Sequence, residues 1–433
     1  MIKRALIMIT LLCTMTAFLY ACDILTGPTD DPQDGIGGGN QTDETPDGGT
    51  SEETPDGAEE SPPVEIAYSE KLSIWPKQDG SYYVADLGYC KDSVIVVPPT
   101  SPEGGVVTSL ENFHIGSYSF VTGMILPDTI TQVGGIFRGV EEFDYNEYDG
   151  GYYVGTLSNP YHAFIRPVSK EISSLTLHPD TRIVAGEAFS DCGALTEVIL
   201  PDGLISICNS AFANCNSLSS VRLPASLTHL GGSVFNRCTS LTEIAIPDSV
   251  SEIAGGSFNG CSSLARVIIG VGVTEIGSMA FYNCALLAEI IIPDKVTAIG
   301  NEAFYRCYKL ERVVIGSGVT RIDSQAFIDC TSLTDLTIGE GVHTIMNGAF
   351  KNCDSLTQVR IPDSVSYIGK DAFAYCDSLA TVYLGGGLET VIQYAFSYDP
   401  ALTDVYFPGS EEEYRAIVQI NNFINANKHF NYK

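Results

Sequence analysis

Apolar residues return with one fixed period over most of this chain. From Phe189 onward a phenylalanine occurs every 23 residues, and within each unit a short stretch alternates apolar and polar positions. In the stretch LTEIAIP, Ile244 and Ile246 fall on one side of an extended chain, with polar or small residues on the other, which is the pattern of a half-buried strand. A unit this short cannot bury its own apolar side, so neighbouring units must stack. The pattern predicts a repeat solenoid of the α/β type, built mostly from short parallel β-strands in 23-residue coils.

The rest of each unit predicts a short inward segment followed by a tight helical turn. After the strand come a turn and two further apolar positions, and Phe258, Cys261 and Leu264 then recur every third residue. A threefold recurrence favours a 3₁₀ helix or a single helical turn with one side buried. Parallel stacking at about 4.8 Å places each phenylalanine on the next one.

Nine of the ten phenylalanines are followed three residues later by a cysteine. These are Cys192, Cys215, Cys238, Cys261, Cys284, Cys307, Cys330, Cys353 and Cys376. Small thiols are among the most buried side chains, so we expect a column of buried free thiols. Disulfides and a metal site remain alternatives, although parallel side-chain vectors suit a disulfide poorly and the sequence has no CxxC pair. The tenth unit has Asp399 in this position, as we expect where the packing of the column ends.

The N-terminal segment resembles a bacterial lipoprotein signal. Lys3 and Arg4 precede an apolar run that ends in LYAC, which is similar to a lipobox. The resemblance implies that residues 1–21 are a signal peptide and that Cys22 is lipidated and anchors the chain to a membrane. Residues 22–66 contain many Asp and Glu but no Lys or Arg, which predicts a disordered acidic tether. The net charge of the whole chain is −30, which excludes nucleic acid as a partner because phosphate backbones are repelled.

The remaining chain divides into three parts. Residues 67–188 predict irregular repeats with a Tyr-rich hairpin insertion, and residues 189–408 are the regular repeats. In residues 409–433, Ser410 and Glu413 form a capping box ahead of Tyr414, so we expect a C-terminal helical cap over the last coil.

The full repeat, L-x-x-V-x-I-P-x-x-V-x-x-I-G-x-x-A-F-x-x-C-x-x-L, resembles the BspA-like leucine-rich repeats of bacterial surface proteins. The resemblance implies a right-handed leucine-rich repeat superhelix displayed on a cell of Bacteroidetes type. It also implies a protein that binds other molecules, without supplying a ligand. With the lipobox, it places the chain in the cell envelope, anchored in the outer membrane and exposed at the surface, as a monomer.

Two patches on the outward side of the strands are candidate binding sites. The first is an apolar stripe with charged neighbours: Ile268, Ile291 and Val314, flanked by Arg266, Glu289 and Arg312. The second combines a cation with aromatic rings: Arg360, Tyr383 and Tyr406, with Tyr367 on the adjoining segment. Both are expected to face solvent, and Tyr and Arg are enriched at binding hot spots. The alternative is that β-forming side chains simply stack across strands.

An enzyme is not expected. The sequence has no GxSxG, HExxH or glycine-rich phosphate loop on a strand, and we expect no cofactor and no metal. His229 and His343 fall at outward repeat positions without partners. The acidic turn residues Asp248, Asp294 and Asp363 are expected to cap turns, not to bind calcium. The sequence favours an adhesin-like surface protein that binds a protein or glycan. The alternatives are a glycan-binding lipoprotein of a nutrient-uptake system and a structural envelope protein.

Overall fold

The 23-residue period appears as stacked coils in the computed structural model, which describes residues 66–111, 115–118, 120–135, 137 and 143–432. Residues 65–433 belong to one compact unit. The predicted signal peptide, Cys22 and nearly all of the tether lie outside the described residues. Within the described part, no helix is long and apolar enough to span a membrane.

The described strands and helices follow in chain order. The irregular N-terminal part contains β1 (Ser73–Pro76), β2 (Tyr82–Asp86), β3 (Val94–Val96), β4 (Val107–Leu110), a 3₁₀ helix (Ile115–Ser117), β5 (Gly123–Ile125), β6 (Gln132–Val133), β7 (Asn146–Tyr148), β8 (Gly151–Val154) and β9 (Ala163–Pro167). The first regular coils contain β10 (Ser174–Thr176), β11 (Ile183–Val184), β12 (Glu197–Ile199), β13 (Ser206–Ile207), β14 (His229–Leu230), β15 (Glu243–Ala245), β16 (Glu252–Ile253), β17 (Arg266–Ile268), β18 (Glu275–Ile276), β19 (Glu289–Ile292) and β20 (Ala298–Ile299). The later coils and the cap contain β21 (Arg312–Ile315), β22 (Arg321–Ile322), β23 (Asp335–Thr337), β24 (Thr344–Ile345), β25 (Gln358–Arg360), β26 (Tyr367–Ile368), β27 (Thr381–Tyr383), β28 (Thr390–Val391), β29 (Asp404–Tyr406), α1 (Glu411–Ile417) and β30 (Asn427–His429).

Two parallel ladders run along the array. The longer strands pair one coil to the next, as β15 does with β17 and β19 with β21, so that Glu243 lies opposite Arg266 and Glu289 opposite Arg312. The two-residue strands form a second ladder, which is continuous from β16 to β28. Each of these registers joins residues 23 positions apart. The predicted solenoid of short parallel strands in 23-residue coils is therefore confirmed.

The third side of each coil is a run of turns, and the predicted 3₁₀ or single-turn helix is wrong there. The residues two before and two after the phenylalanines have positive φ, for example Met279 (57°) and Asn283 (57°) around Phe281. Because left-handed residues alternate with right-handed ones in this run, every second backbone N–H points to the next coil. Met279 donates to the Asn301 carbonyl at 2.9 Å, and Phe281 donates to the Ala303 carbonyl at 2.7 Å. The inter-coil hydrogen bonds offset a backbone strain of about 1 kcal/mol per left-handed residue.

Two columns of the core were predicted from the sequence. Consecutive repeat phenylalanines from Phe189 to Phe396 stack with ring centroids 4.8 to 5.5 Å apart. The nine repeat cysteines are buried and free, which confirms the thiol column. Most of these thiols donate to the phenylalanine carbonyl of the preceding coil, as Cys261 does to Phe235 at 3.0 Å. Burial raises the pKa of the Cys261 thiol to about 12.

Both ends of the array are closed by other elements. At the N-terminal end, β1, β2, β4 and β6 form a sheet, and the β7–β8 hairpin of the Tyr-rich insertion pairs with β9. At the C-terminal end, α1 begins at the predicted capping box, with the Ser410 hydroxyl accepting the Glu413 N–H and the Glu413 carboxylate accepting the Ser410 N–H. Phe423 extends the ring column by stacking on Phe396 at 4.6 Å. The cap thus covers the open core of the last coil.

Candidate functional site

The longer ladder presents one apolar stripe to solvent, formed by Ile268, Ile291 and Val314. These residues are the third positions of β17, β19 and β21, where the flanking residues of each strand point inward. Ile268 is 49% exposed and Ile291 54% exposed, and Val314 is half-buried. The stripe therefore runs across three consecutive coils and offers branched aliphatic surface on a rigid ladder. Such a surface is not needed by the core, which lies on the other side.

Charged side chains border the stripe on the neighbouring column of the same strands. Arg312 lies between two carboxylates, 4.0 Å from Glu289 and 3.1 Å from Asp335. Arg266, also exposed, stands opposite Glu243 in the register. Exposed ion pairs of this kind contribute little to folding. They give the stripe a polar rim, which is the usual anatomy of a protein interface.

The second candidate patch is a stack of rings that is longer than the sequence predicted. The Arg360 guanidinium lies 4.4 Å from the centre of the Tyr383 ring. Tyr383 stacks on Tyr406 at 4.9 Å and 15°, and Tyr406 stacks on His429 at 4.4 Å and 13°. Tyr432 lies across the two tyrosines at 5.6 and 5.0 Å. His429 follows Tyr406 by one period of 23 residues, so the repeat spacing was the signal that could have found it.

The stack leaves little ring surface for a ligand. Each inner ring face meets a neighbouring ring, and one face of Tyr383 meets Arg360. Tyr383 and Tyr406 lie on the outward side of their strands, as expected, but are half-buried. The cause is the cap, which brings Tyr432 over them. His429 Nε2 also donates to Asp404 Oδ1 at 2.7 Å, and this hydrogen bond is the first cause that lowers the pKa of Asp404.

The other residues singled out from the sequence lie elsewhere. Tyr367 belongs to β26 in the two-residue ladder, and the described ring contacts do not join it to Tyr383 or Tyr406. The turn aspartates cap the next coil as predicted: Asp294 accepts the Ser317 N–H at 2.8 Å, and Asp248 and Asp363 make the equivalent bonds.

Outside the sheet face, the described residues offer no evident catalytic or metal centre. No group of three or more His, Cys, Asp or Glu residues in this part of the chain is placed to hold a metal ion. His229 lies opposite the buried Leu230 side of β14, as predicted, but is half-buried, and burial lowers its pKa. It lies near the ion pair between Lys77 and Glu111, whose atoms are 2.7 Å apart. This polar cluster joins the N-terminal sheet to the first coils.

The coil architecture agrees with a known repeat family. The family model described as BspA type leucine rich repeat region (6 copies) matches residues 182–311 and 297–418. The chain belongs to the BspA-type leucine-rich repeat family. The matched residues of this BspA-type chain include the apolar stripe and the whole ring stack up to Tyr406. No curated protein sequence matches it.

Several solved structures of bacterial proteins are similar to this chain. A leucine-rich repeat protein from Bacteroides ovatus is 20% identical, with a TM-score of 0.43, over 85% of this chain and 100% of that one. A leucine rich cell surface protein from Faecalibacterium prausnitzii is 21% identical, with a TM-score of 0.30, over 83% of this chain and 99% of that one. The pneumococcal vaccine antigen PcpA is 15% identical, with a TM-score of 0.37, over 81% and 89%. At such identities the likeness concerns the fold alone.

Proposed function

We propose that this BspA-type chain is a cell-surface protein that binds another protein in an adhesin-like manner, through the exposed face of its longer ladder. The observation that carries the proposal is the apolar stripe, in which Ile268 and Ile291 are each about half exposed on consecutive coils. Aliphatic side chains in a line, bordered by charges, suit an extended or helical apolar segment of a partner. In the same proposal, Cys22 is lipidated and holds the monomeric chain at the outer membrane behind its acidic tether.

A glycan ligand is less well supported by the geometry. Sugars commonly pack their apolar faces on open aromatic rings. The rings of Tyr383, Tyr406 and His429 cover one another, and the stripe contains no ring. Neither patch therefore offers the platform that a glycan needs, whereas the stripe offers what an apolar peptide needs.

The test replaces the stripe with residues that keep the strands intact. Threonine already occupies this column at Thr337, so the triple variant Ile268→Thr, Ile291→Thr and Val314→Thr should fold like the parent. The full chain and the variant are titrated against a panel of host extracellular-matrix proteins and on a glycan array. We expect binding to at least one matrix protein, weakened about tenfold or more in the variant, since a buried anchor typically contributes 1 kcal/mol or more.

The matched control is Leu286→Thr on the turn side of the array. Leu286 is 48% exposed, similar to the stripe residues, but lies in the turn before β19 and outside the ladder. This variant should bind like the parent. Unchanged binding of the stripe variant, or a ligand found only on the glycan array, contradicts the proposal.

A further inference from the structure

The tenth coil differs from the other nine at one core position. Asp399 stands where those coils carry a cysteine, at the point where the sequence predicts that column packing ends. The structure instead keeps Asp399 half-buried. Its Oδ1 accepts the Cys376 N–H at 2.8 Å, while its Oδ2 is buried and has no hydrogen-bond partner among the described residues. A carboxylate oxygen in this state is costly unless a donor or a positive charge meets it.

Asp399 lies in the wall of a cleft of about 610 Å³ between the last coil and the cap. Tyr394 and Tyr398 line the cleft from the coil, and Ile424 lines it from the cap. Asp377 contributes a second carboxylate, and none of the described lining residues is basic. The cleft thus combines negative charge with aromatic and aliphatic surface, which together favour an organic cation.

The tyrosine column that reaches this cleft already holds an ammonium group at its other end. Lys351 Nζ lies 5.0 Å from the centre of the Tyr375 ring and 3.5 Å from a carboxylate oxygen of Asp371. Tyr375 in turn stacks on Tyr398 at 4.6 Å and 12°. Lys351 belongs to the coil before Tyr375 and Tyr398 to the coil after it, so the outer face of Tyr398 is directed toward the cleft. Tyr398 is 61% exposed.

We propose that this cleft binds the ammonium group of a lysine side chain carried by a partner protein. The ammonium lies against the outer face of Tyr398 and beside the carboxylates of Asp377 and Asp399, repeating the ring and carboxylate arrangement around Lys351. The aliphatic stem of the ligand packs on Ile424, which is 70% exposed. The net charge of −30 attracts a basic partner to the chain as a whole.

The pKa of Asp399 and the ligand preference of metal ions both agree with an organic ammonium group as the ligand. Burial is the first cause that raises the pKa of Asp399 to about 8, and the charge of Asp377 adds to it, as expected for a carboxyl that lacks a counter-charge. A divalent metal ion prefers a shell of oxygen ligands and gains nothing from aromatic walls. A lysine side chain uses both the carboxylates and the tyrosine ring.

The experiment measures binding of two short peptides to the full chain by ligand-observed NMR. One is acetyl-Gly-Lys-Gly-amide, and the other has norleucine in place of lysine, which keeps the stem and removes the charge. We expect the lysine peptide to bind in the millimolar range and the norleucine peptide at least tenfold more weakly. Equal binding of the two, no binding of the lysine peptide at tens of millimolar, or its displacement by millimolar Ca²⁺ would overturn the proposal.

Variants locate the site. Asp399→Asn keeps an oxygen for the Cys376 N–H and should weaken the lysine peptide at least tenfold. Tyr398→Asn should do the same, and it suits the positive φ of 66° because asparagine tolerates that conformation. The control Asp202→Asn removes an exposed carboxylate elsewhere on the array and should leave binding unchanged. Binding that survives Asp399→Asn and Tyr398→Asn, or that is lost equally in the control, contradicts the site.

Discussion

Replacing Asp399 by asparagine isolates the energetic effect of one half-buried carboxyl group. Asparagine has nearly the same shape, and its side-chain oxygen can still accept the Cys376 N–H that Oδ1 accepts in the parent. The variant therefore removes the titration while keeping the packing. Any pH-dependent difference in stability between the two chains then belongs to Asp399 and to its coupling with the charge of Asp377.

The direction in which stability changes with pH follows from the pKa of Asp399, which is raised to about 8 in the folded chain from an ordinary value of 3.8. Below pH 3.8 the carboxyl is protonated in both the folded and the unfolded state, so it does not change the free energy of unfolding. Between these values only the unfolded state loses the proton, so the free energy of unfolding falls as pH rises, and above the folded pKa the loss is constant. Four pKa units correspond to at most about 5–6 kcal/mol. Water entering the cleft screens the charge, and we expect about 2–3 kcal/mol.

Native-state proteolysis of the cap, followed by mass spectrometry between pH 5 and pH 9, measures this difference. A solenoid frays from its ends, so the charge should open the last coil before the rest of the array. We expect the parent to be cleaved faster than the variant, by a margin that is smallest at pH 5, grows as pH rises and becomes constant above the folded pKa. The exposed control Asp202→Asn, elsewhere on the array, should leave cleavage of the cap unchanged. A parent-to-variant difference that stays constant across this pH range would refute the argument, because it would mean that Asp399 titrates normally.

Two further predictions concern the coils. In the native chain the nine repeat thiols should resist a thiol reagent, because they are buried and burial raises the pKa of Cys307 to about 12. In denaturant without reductant all nine should react. Mass evidence for native disulfides would disprove the column of free thiols. Met279→Gly should raise the free energy of unfolding by about 0.5–1 kcal/mol, since Met279 has a φ of 57° and its side chain is 41% exposed. Met346→Gly, at a position without positive φ, should lower the free energy of unfolding. Chemical denaturation of both variants measures this difference.

The sequence was sufficient to predict what the period alone determines. A repeat of 23 residues puts Phe281 on Phe304 and Cys284 on Cys307 whatever the shape of the coil, and the parallel registers bear this out. The same counting leads to His429, one period beyond Tyr406. The capping box at Ser410 was also readable, because it depends on residues only three positions apart.

The features that the sequence did not reveal depend on contacts that the period does not fix. Apolar residues at every third position fit a 3₁₀ helix and a series of turns equally well. The left-handed residues include Met279 and Arg306, and neither residue type predicts a positive φ. The half-burial of Tyr383 and of Asp399 arises from the cap, which folds back over the last coils.

The regularity of the array itself limits where a ligand can bind. Parallel stacking at one register sets like residues on like, so rings cover rings, and a column of tyrosines uses its own faces as Tyr383 and Tyr406 do. A ligand can then bind only where a column of like side chains is interrupted or where the column ends. The stripe is an interruption, because three successive coils carry aliphatic residues where later coils carry Arg360, Tyr383 and Tyr406, and two of these aliphatic residues are about half exposed. The C-terminal cleft is an end, because no further ring among the described residues covers Tyr398 there. A partner that contacts both would be held at two points of one rigid chain, which gains affinity without any new contact.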